Sequence, residues 1–340
     1  MAFQKFWNAF FFYLSTASTI FHTLLSFFLK TNWDLVFFKL PDTLVALYFR
    51  LCGLSPCTVD VDDQTTMHFW TANHRRFDKP GLVLVHGYGG NSLWQFVCHV
   101  GALSRNFNLY VPDLLFFGKS YTNRLDRSEV FQAKSVVDGL KRLGVDRLSV
   151  YGLSYGGFVA YRMAEMYPET VEKVVIVSSG VVWTDEQKDE LLKVESDALE
   201  ILLPRSPHDL RLLMNRSLYK YDVFKWVPDF VLGRLIKAND EHRKERMELL
   251  EHLVAKKQDS NLPILTQETL IIWGDKDKVF PLFLAHQLQR HLGSKSKLEI
   301  IKDTGHAANF DSPDTINALI KSFALDGYPP NIIGIPMEVK

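Results

Sequence analysis

Four stretches of this chain are continuous apolar runs, and they restrict its fold more than any other feature. They are "GLVLVHG" (81–87), "FNLYVPD" (107–113), "RLSVYGLS" (147–154) and "VEKVVIVSS" (171–179). A strand with one wet face alternates apolar and polar residues. These runs do not alternate, so they suit strands buried on both faces, as in a parallel sheet. Helical patterns over 92–104, 128–143 and 156–167 separate them. Strands and helices in alternation predict an α/β architecture: a mostly parallel twisted sheet with helices on both faces and right-handed crossovers. Ahead of the first run, "TVDVDDQTTMHFWTA" alternates well enough to predict an antiparallel hairpin at a sheet edge.

From Val181 to Leu262 the rhythm stops. Leu, Lys, Glu and Arg recur there at helical spacing, broken by Pro204, Pro207 and Pro228, which predicts about four helices and no strand. "TLIIWGD" (269–275) and "KLEIIKDTGH" (297–306) then resume the strands, with helices expected near 281–292 and 313–325. One sheet domain (57–180 and 263–325) with a helical cap inserted at 181–262 is therefore expected, followed by an irregular tail over 326–340. A hydrophobic content of 47% in 340 residues supplies a large core and argues against disorder. Lys+Arg and Asp+Glu balance at 39 each, so no overall field draws the chain to nucleic acid. Cys52, Cys57 and Cys98 form neither a zinc pattern nor a disulfide framework.

Residues 1–56 read as a hydrophobic N-terminal anchor and linker. No residue between Lys5 and Lys30 carries a fixed charge, and Phe and Leu dominate. About 20 apolar residues are enough to cross a bilayer core. Ser15, Thr19, His22 and Ser26 nevertheless recur at helical spacing and mark one weakly polar stripe. A membrane-spanning anchor, a helix in the membrane interface and a cleaved signal peptide are all open, as is a helix packed on the protein's own surface. Membrane association is the reading carried forward. Lys5 and Lys30 give no charge asymmetry and so no orientation. No feature assigns an oligomeric state.

The chemistry centres on Gly152-Leu153-Ser154-Tyr155-Gly156, which follows a predicted strand and opens a predicted helix. A turn that sharp strains the serine backbone and needs small flanking residues, as in a nucleophile elbow. Serine needs a base, and "DTGHAANFDSP" puts His306 just after the last predicted strand. The base needs an orienting acid, and "IIWGDKDKVFP" offers Asp275 and Asp277 past a buried strand. The spacing favours Asp277, because the turn projects the later carboxylate toward the histidine while Asp275 caps the turn. Asp185 is the third candidate. The chain order Ser, Asp, His differs from those of the chymotrypsin and subtilisin types.

With these blocks in place, the sequence over 57–325 resembles the α/β-hydrolase superfamily in "HGYGG", "PDLLFFGKS", "GLSYGG", "WGDKDKVFP" and "TGHAANFDSP". It resembles most the cap-bearing branch that includes monoacylglycerol lipases and meta-cleavage C–C hydrolases. The hydrophobic N-terminus and helical cap look more like membrane-anchored monoacylglycerol lipases and their plant relatives. The resemblance implies an oxyanion hole from the backbone N–H groups of Tyr88 and Tyr155, a structural role for His86, and hydrolysis with no cofactor and no metal. Ser154 excludes the branches whose nucleophile is aspartate. "PDLLFFGKS" departs from the commoner D-x-P-G-x-G-x-S form, with Leu115 and Phe116 where Pro and Gly usually stand.

The function expected is that of a serine hydrolase (a carboxylic ester hydrolase) acting on a lipid-like small-molecule ester with an apolar acyl group. Cap residues such as Leu199, Leu203, Phe224, Trp226 and Phe230 are candidates for an apolar pocket. Two alternatives use the same framework. One is a C–C bond hydrolase of a vinylogous diketone acid, which needs a fixed positive charge in its pocket. The other is a slow-turnover ligand-binding receptor.

Overall fold

The computed structural model describes residues 39–193, 201–255 and 262–326. The N-terminal apolar segment up to residue 38, the tail beyond 326 and Leu199 lie outside the described residues. Among the described residues, nine strands form one sheet: β1 (Leu54–Asp60), β2 (Thr65–Ala72), β3 (Gly81–Val85), β4 (Asn108–Pro112), β5 (Tyr121–Thr122), β6 (Leu148–Leu153), β7 (Val171–Val177), β8 (Glu268–Gly274) and β9 (Ser296–Ile301). Their order is β1-β2-β4-β3-β6-β7-β8-β9, with β5 paired to β2. β1 and β2 form the antiparallel edge hairpin, β2 meets β4 antiparallel, and every pair from β4 to β9 is parallel.

Side-chain alternation in the central strands explains why they read as unbroken apolar runs. Val83, Val85, Val150, Val174, Ile176, Ile271 and Trp273 face one core, and Leu82, Leu84, Tyr151, Val175, Val177, Leu270 and Ile272 face the other. Both faces are dry, so both positions of the period-two pattern are mostly apolar, with a few buried polar residues such as Ser149 and Thr269. On the first face pack α3 (Glu129–Arg142), α4 (Tyr155–Met166) and α9 (Phe283–Leu292), through Val136, Val159 and Leu288 among others. On the second pack α1 (Leu40–Leu51), α2 (Val97–Leu103) and α10 (Pro313–Ala324), through Phe49, Val100 and Ile316. From Leu44 onward the chain is one compact unit.

Some expected boundaries move. The division placed between residues 56 and 57 falls inside β1, and α1 precedes it with Phe49 fully buried. The helix expected over 92–104 is broken at Phe96, which leaves one turn (Ser92–Gln95) ahead of α2. Between β7 and β8 the described residues hold α5 (Asp185–Lys193), α6 (Pro207–Ser217), α7 (Asp229–Ala238) and α8 (Arg243–Ala255), and no strand. α6 starts at a complete capping box, in which Ser206 and Asp209 satisfy each other's backbone N–H groups. The three cysteines are free thiols.

One buried histidine on the second face predicts a pH-dependent stability. His99 on α2 is 1% exposed, and its Nδ1–H donates to Asn317 Oδ1 on α10 at 2.6 Å. Burial pushes its pKa from 6.5 down to about 4. The unfolded chain therefore binds a proton below pH 6.5 that the folded chain refuses until about pH 4. The stabilisation is complete above that window and is lost as pH falls through it. His99→Asn retains an amide donor without the titration. In urea unfolding, wild type is expected to lose about 2 kcal/mol more than the variant between pH 7 and pH 5. Parallel profiles would show that His99 protonates as readily folded as unfolded.

Candidate active site

The strand order reverses at β3, which lies between β4 and β6. In an open α/β sheet the crevice at such a switch point, beyond the carboxyl ends of the strands, is where ligands bind. The loops carrying the sequence-derived candidates leave the carboxyl ends of β3, β6, β8 and β9.

Ser154 joins β6 to α4 with φ +51°, a left-handed conformation that costs a non-glycine residue roughly 1–2 kcal/mol. Two glycines make the turn feasible. A Cβ at Gly152 would stand 2.3 Å from the Gly156 carbonyl oxygen, and one at Gly156 would stand 2.4 Å from the Val85 carbonyl oxygen. The turn is anchored by the Ser154 N–H, which donates to the Val177 carbonyl at 2.8 Å.

His306 and Asp277 meet the serine in one line. Asp277 Oδ2 and His306 Nδ1 are 2.9 Å apart, and His306 Nε2 and Ser154 Oγ are 2.9 Å apart. A carboxylate only accepts, so Nδ1 carries the proton and Nε2 is free to accept from the serine hydroxyl. The Asp277 side chain is fully buried. Its other oxygen accepts the Val279 and Phe280 N–H groups, each at 2.8 Å, which locks the carboxylate plane toward His306. Asp275 instead pairs with Lys276 at 3.0 Å and accepts from the Thr304 N–H at 3.4 Å. Asp185 pairs with Lys188 at 2.9 Å.

The loop after β3 runs against the serine. A Cβ at Gly87 would come within 3.1 Å of Ser154 Cβ. Tyr88 follows it, and its ring lies edge-on to that of Tyr155, 6.1 Å between centroids. The Tyr155 N–H is the first amide of α4, one of the four that a helix leaves without an intrahelical partner. His86 is fully buried and holds the loop: Nδ1–H donates to the Gly87 carbonyl at 2.8 Å, and Nε2 accepts the Leu114 N–H at 2.9 Å. Burial lowers its pKa and keeps that tautomer neutral.

Several partners had no local sequence signal. Gln95 grips Gly87 twice, accepting its N–H at 2.8 Å and donating to its carbonyl at 3.1 Å. The Tyr88 hydroxyl, kept protonated by burial, donates to the Arg246 carbonyl in α8 at 2.8 Å. Phe280 lies edge-on to His306 at 5.5 Å, and Trp183 and Phe158 pack onto Phe280 in an apolar wall. Of the suggested cap contacts, Leu203 is buried, while Trp226 at 87% and Phe230 at 50% exposure face solvent. Phe116, at the unusual position of "PDLLFFGKS", is buried with φ +72°, a backbone that favours glycine. The Arg127 guanidinium stacks on its ring at 4.5 Å. Asp113 steadies the same loop by accepting from His68, from Ser92 and from the Lys119 N–H. Among the described residues, no group of three His, Cys, Asp or Glu side chains converges as a metal site.

A mostly parallel sheet with a strained serine at its switch point, in line with a histidine and a carboxylate, defines a class of protein. The model of the alpha/beta hydrolase fold family matches residues 80–313, and the chain belongs to that family. It is 30% identical over 260 residues to a 2-hydroxy-6-oxononadienedioate/2-hydroxy-6-oxononatrienedioate hydrolase of a Pseudomonas species, covering 71% of this chain and 87% of that one. It is 25% identical over 301 residues to a monoacylglycerol lipase of Mus musculus, covering 83% and 87%. Among solved structures, a bacterial membrane phospholipase A superposes with a TM-score of 0.70 at 22% identity, covering 91% of this chain and 99% of that one.

Proposed function

We propose that the protein is a serine hydrolase that cleaves a carboxylic ester with an apolar acyl group. The observation that carries this reading is the pair of 2.9 Å hydrogen bonds from Ser154 through His306 to Asp277. As Ser154 Oγ attacks the ester carbonyl, His306 Nε2 takes its proton, and Asp277 holds the imidazole tautomer and stabilises the imidazolium. The Tyr88 and Tyr155 N–H groups receive the oxyanion, a role in which each donor contributes about 10²–10³ in turnover. His306 then protonates the leaving alcohol, and water activated by the same nitrogen releases the acyl group.

The apolar wall of Phe158, Trp183 and Phe280 beside His306 supports an apolar acyl group. The helices between β7 and β8 act as the cap, tied to the site through the Tyr88–Arg246 bond. The likeness to a monoacylglycerol lipase supports a lipid-like ester. Among the described residues no helix is long and apolar enough to cross a membrane. Membrane association is proposed for the stretch between Lys5 and Lys30, on its composition alone: it carries no fixed charge and is dominated by Phe and Leu.

One observation favours the C–C hydrolase as a second reading. Arg246 is 7% exposed, its guanidinium lies 5.7 Å from the Phe117 ring, and its buried Nε has no hydrogen-bond partner. It is a fixed charge of the kind that a diketone acid requires, close to Tyr88, and the Pseudomonas relative is named for such substrates. Steady-state assays with monoacylglycerols of graded chain length and with a 2-hydroxy-6-oxo-dienoic acid separate the two readings. The ester reading expects kcat/KM to rise with chain length and the dienoic acid to be a poor substrate. Turnover of the dienoic acid alone, with KM raised about tenfold or more by Arg246→Gln, would reverse the assignment.

A further inference from the structure

The turn that carries His306 is held from outside by a buried carboxylate. Asp311 is 3% exposed. Its Oδ2 accepts the Gly305 N–H and the Tyr219 N–H, both at 2.8 Å, and its Oδ1 accepts the Lys220 N–H at 3.0 Å. Gly305 precedes His306 directly, while Tyr219 and Lys220 follow α6 in the helical stretch between β7 and β8. The other neighbour of His306 is tied to the same place: the Ala307 N–H donates to the Ser217 carbonyl at 2.7 Å. Lys220 closes the junction, its Nζ donating to the Asp311 carbonyl at 3.1 Å and to Ser312 Oγ at 2.9 Å.

Both peptide neighbours of His306 are thus fastened to residues 217–220, one through Asp311 and one directly. The imidazole reaches Ser154 and Asp277, but the backbone beneath it is positioned by the cap segment. We infer that Asp311 is a positioning residue, through which the alignment of His306 with Ser154 depends on the placement of residues 217–220. This inference rests on the serine hydrolase reading. An ionised acceptor shared by three N–H groups is stronger and more directional than neutral bonds. Buried without them it would be costly, so the carboxylate demands that both segments be in place at once. The segment it grips continues into Tyr221, Val223 and Trp226, all strongly exposed, so whatever displaces that stretch bears on the base.

The test compares full-length wild type, Ser154→Ala, Asp311→Asn and Lys220→Ala. It measures the rate at which a fluorophosphonate modifies Ser154, kcat and KM for a p-nitrophenyl ester, and Tm. Asp311→Asn cannot satisfy all three N–H groups, because one oxygen becomes a donor. It is expected to slow phosphonylation and kcat together by about ten- to a hundredfold per folded molecule, with KM little changed. Lys220→Ala, which leaves the carboxylate in place, is expected to move both rates the same way by a smaller factor. A fall in Tm with both rates intact, or a rise in KM alone, would overturn the inference. Should Asp311→Asn not fold, unchanged rates in Lys220→Ala overturn it equally. Wild type that is not modified at all sinks the serine hydrolase reading and this inference with it. A wild type that reacts at Ser154, with Asp311→Asn and Lys220→Ala unaffected, sinks the inference alone.

Discussion

Replacing Ser154 by alanine is expected to lower turnover of the preferred ester by about 10⁶-fold while leaving the fold intact. The change deletes one oxygen from a partly exposed side chain, and the strained turn around it is set by Gly152, Gly156 and the Ser154 N–H rather than by the hydroxyl. His306→Ala is expected to cost a similar factor, because a serine without a base is an ordinary alcohol. The two act as one unit, so the double variant is expected to be no slower than either single one, with residual activity left by the oxyanion donors and substrate binding. Progress curves at high enzyme concentration, together with thermal melts, measure all three. Independent losses that multiply in the double variant would mean that the 2.9 Å contact between them is not used in the reaction.

The second large effect separates two neighbouring aspartates. Asp277→Asn is expected to cut kcat by about 10⁴-fold. The reason lies in the second carboxylate oxygen. The Val279 and Phe280 N–H groups require an acceptor at Oδ1, so an asparagine keeps its oxygen there and turns its amide nitrogen toward His306. That NH₂ can only donate, which forces the proton of His306 from Nδ1 to Nε2. An imidazole protonated at Nε2 cannot accept from Ser154. Asp275→Asn, whose partners are Lys276 and the Thr304 N–H, is expected to leave kcat within about threefold of wild type, as for surface pairs of small individual weight. Initial rates on both variants at pH 7 to 8 decide it. A larger loss in the Asp275 variant would move the orienting acid to the other carboxylate.

What the sequence makes legible follows from how local the cause is. The central strands announce themselves because two dry faces leave few polar positions, and β1 because its burial alternates along the strand. The serine turn is readable because its steric demand falls on neighbours within two residues, Gly152 and Gly156. The choice of Asp277 over Asp275 rests on a turn of only a few residues, and the structure brings Asp277, not Asp275, to His306. Long-range pairings are not written that way. Gln95 gripping Gly87, Tyr88 reaching Arg246 and Asp311 gathering Tyr219 and Lys220 join residues from 8 to 158 positions apart. No local pattern distinguishes such side chains from solvated ones. α1 reads as part of the apolar N-terminus because its own sequence, "LPDTLVALYFRL", continues that composition. β5 has two residues, too few for any periodicity. Phe116 illustrates a different limit. Its left-handed backbone is held by burial and by the Asp113 network around it, none of which its own side chain advertises.

The measurement that bears most directly on the central claim is peptide mapping by mass spectrometry after treating wild type and Ser154→Ala with a fluorophosphonate. One adduct per chain is expected, on the peptide containing Ser154, formed by wild type and absent from the alanine variant. Well-folded wild type that forms no adduct, or an adduct on another residue that persists in Ser154→Ala, would contradict it.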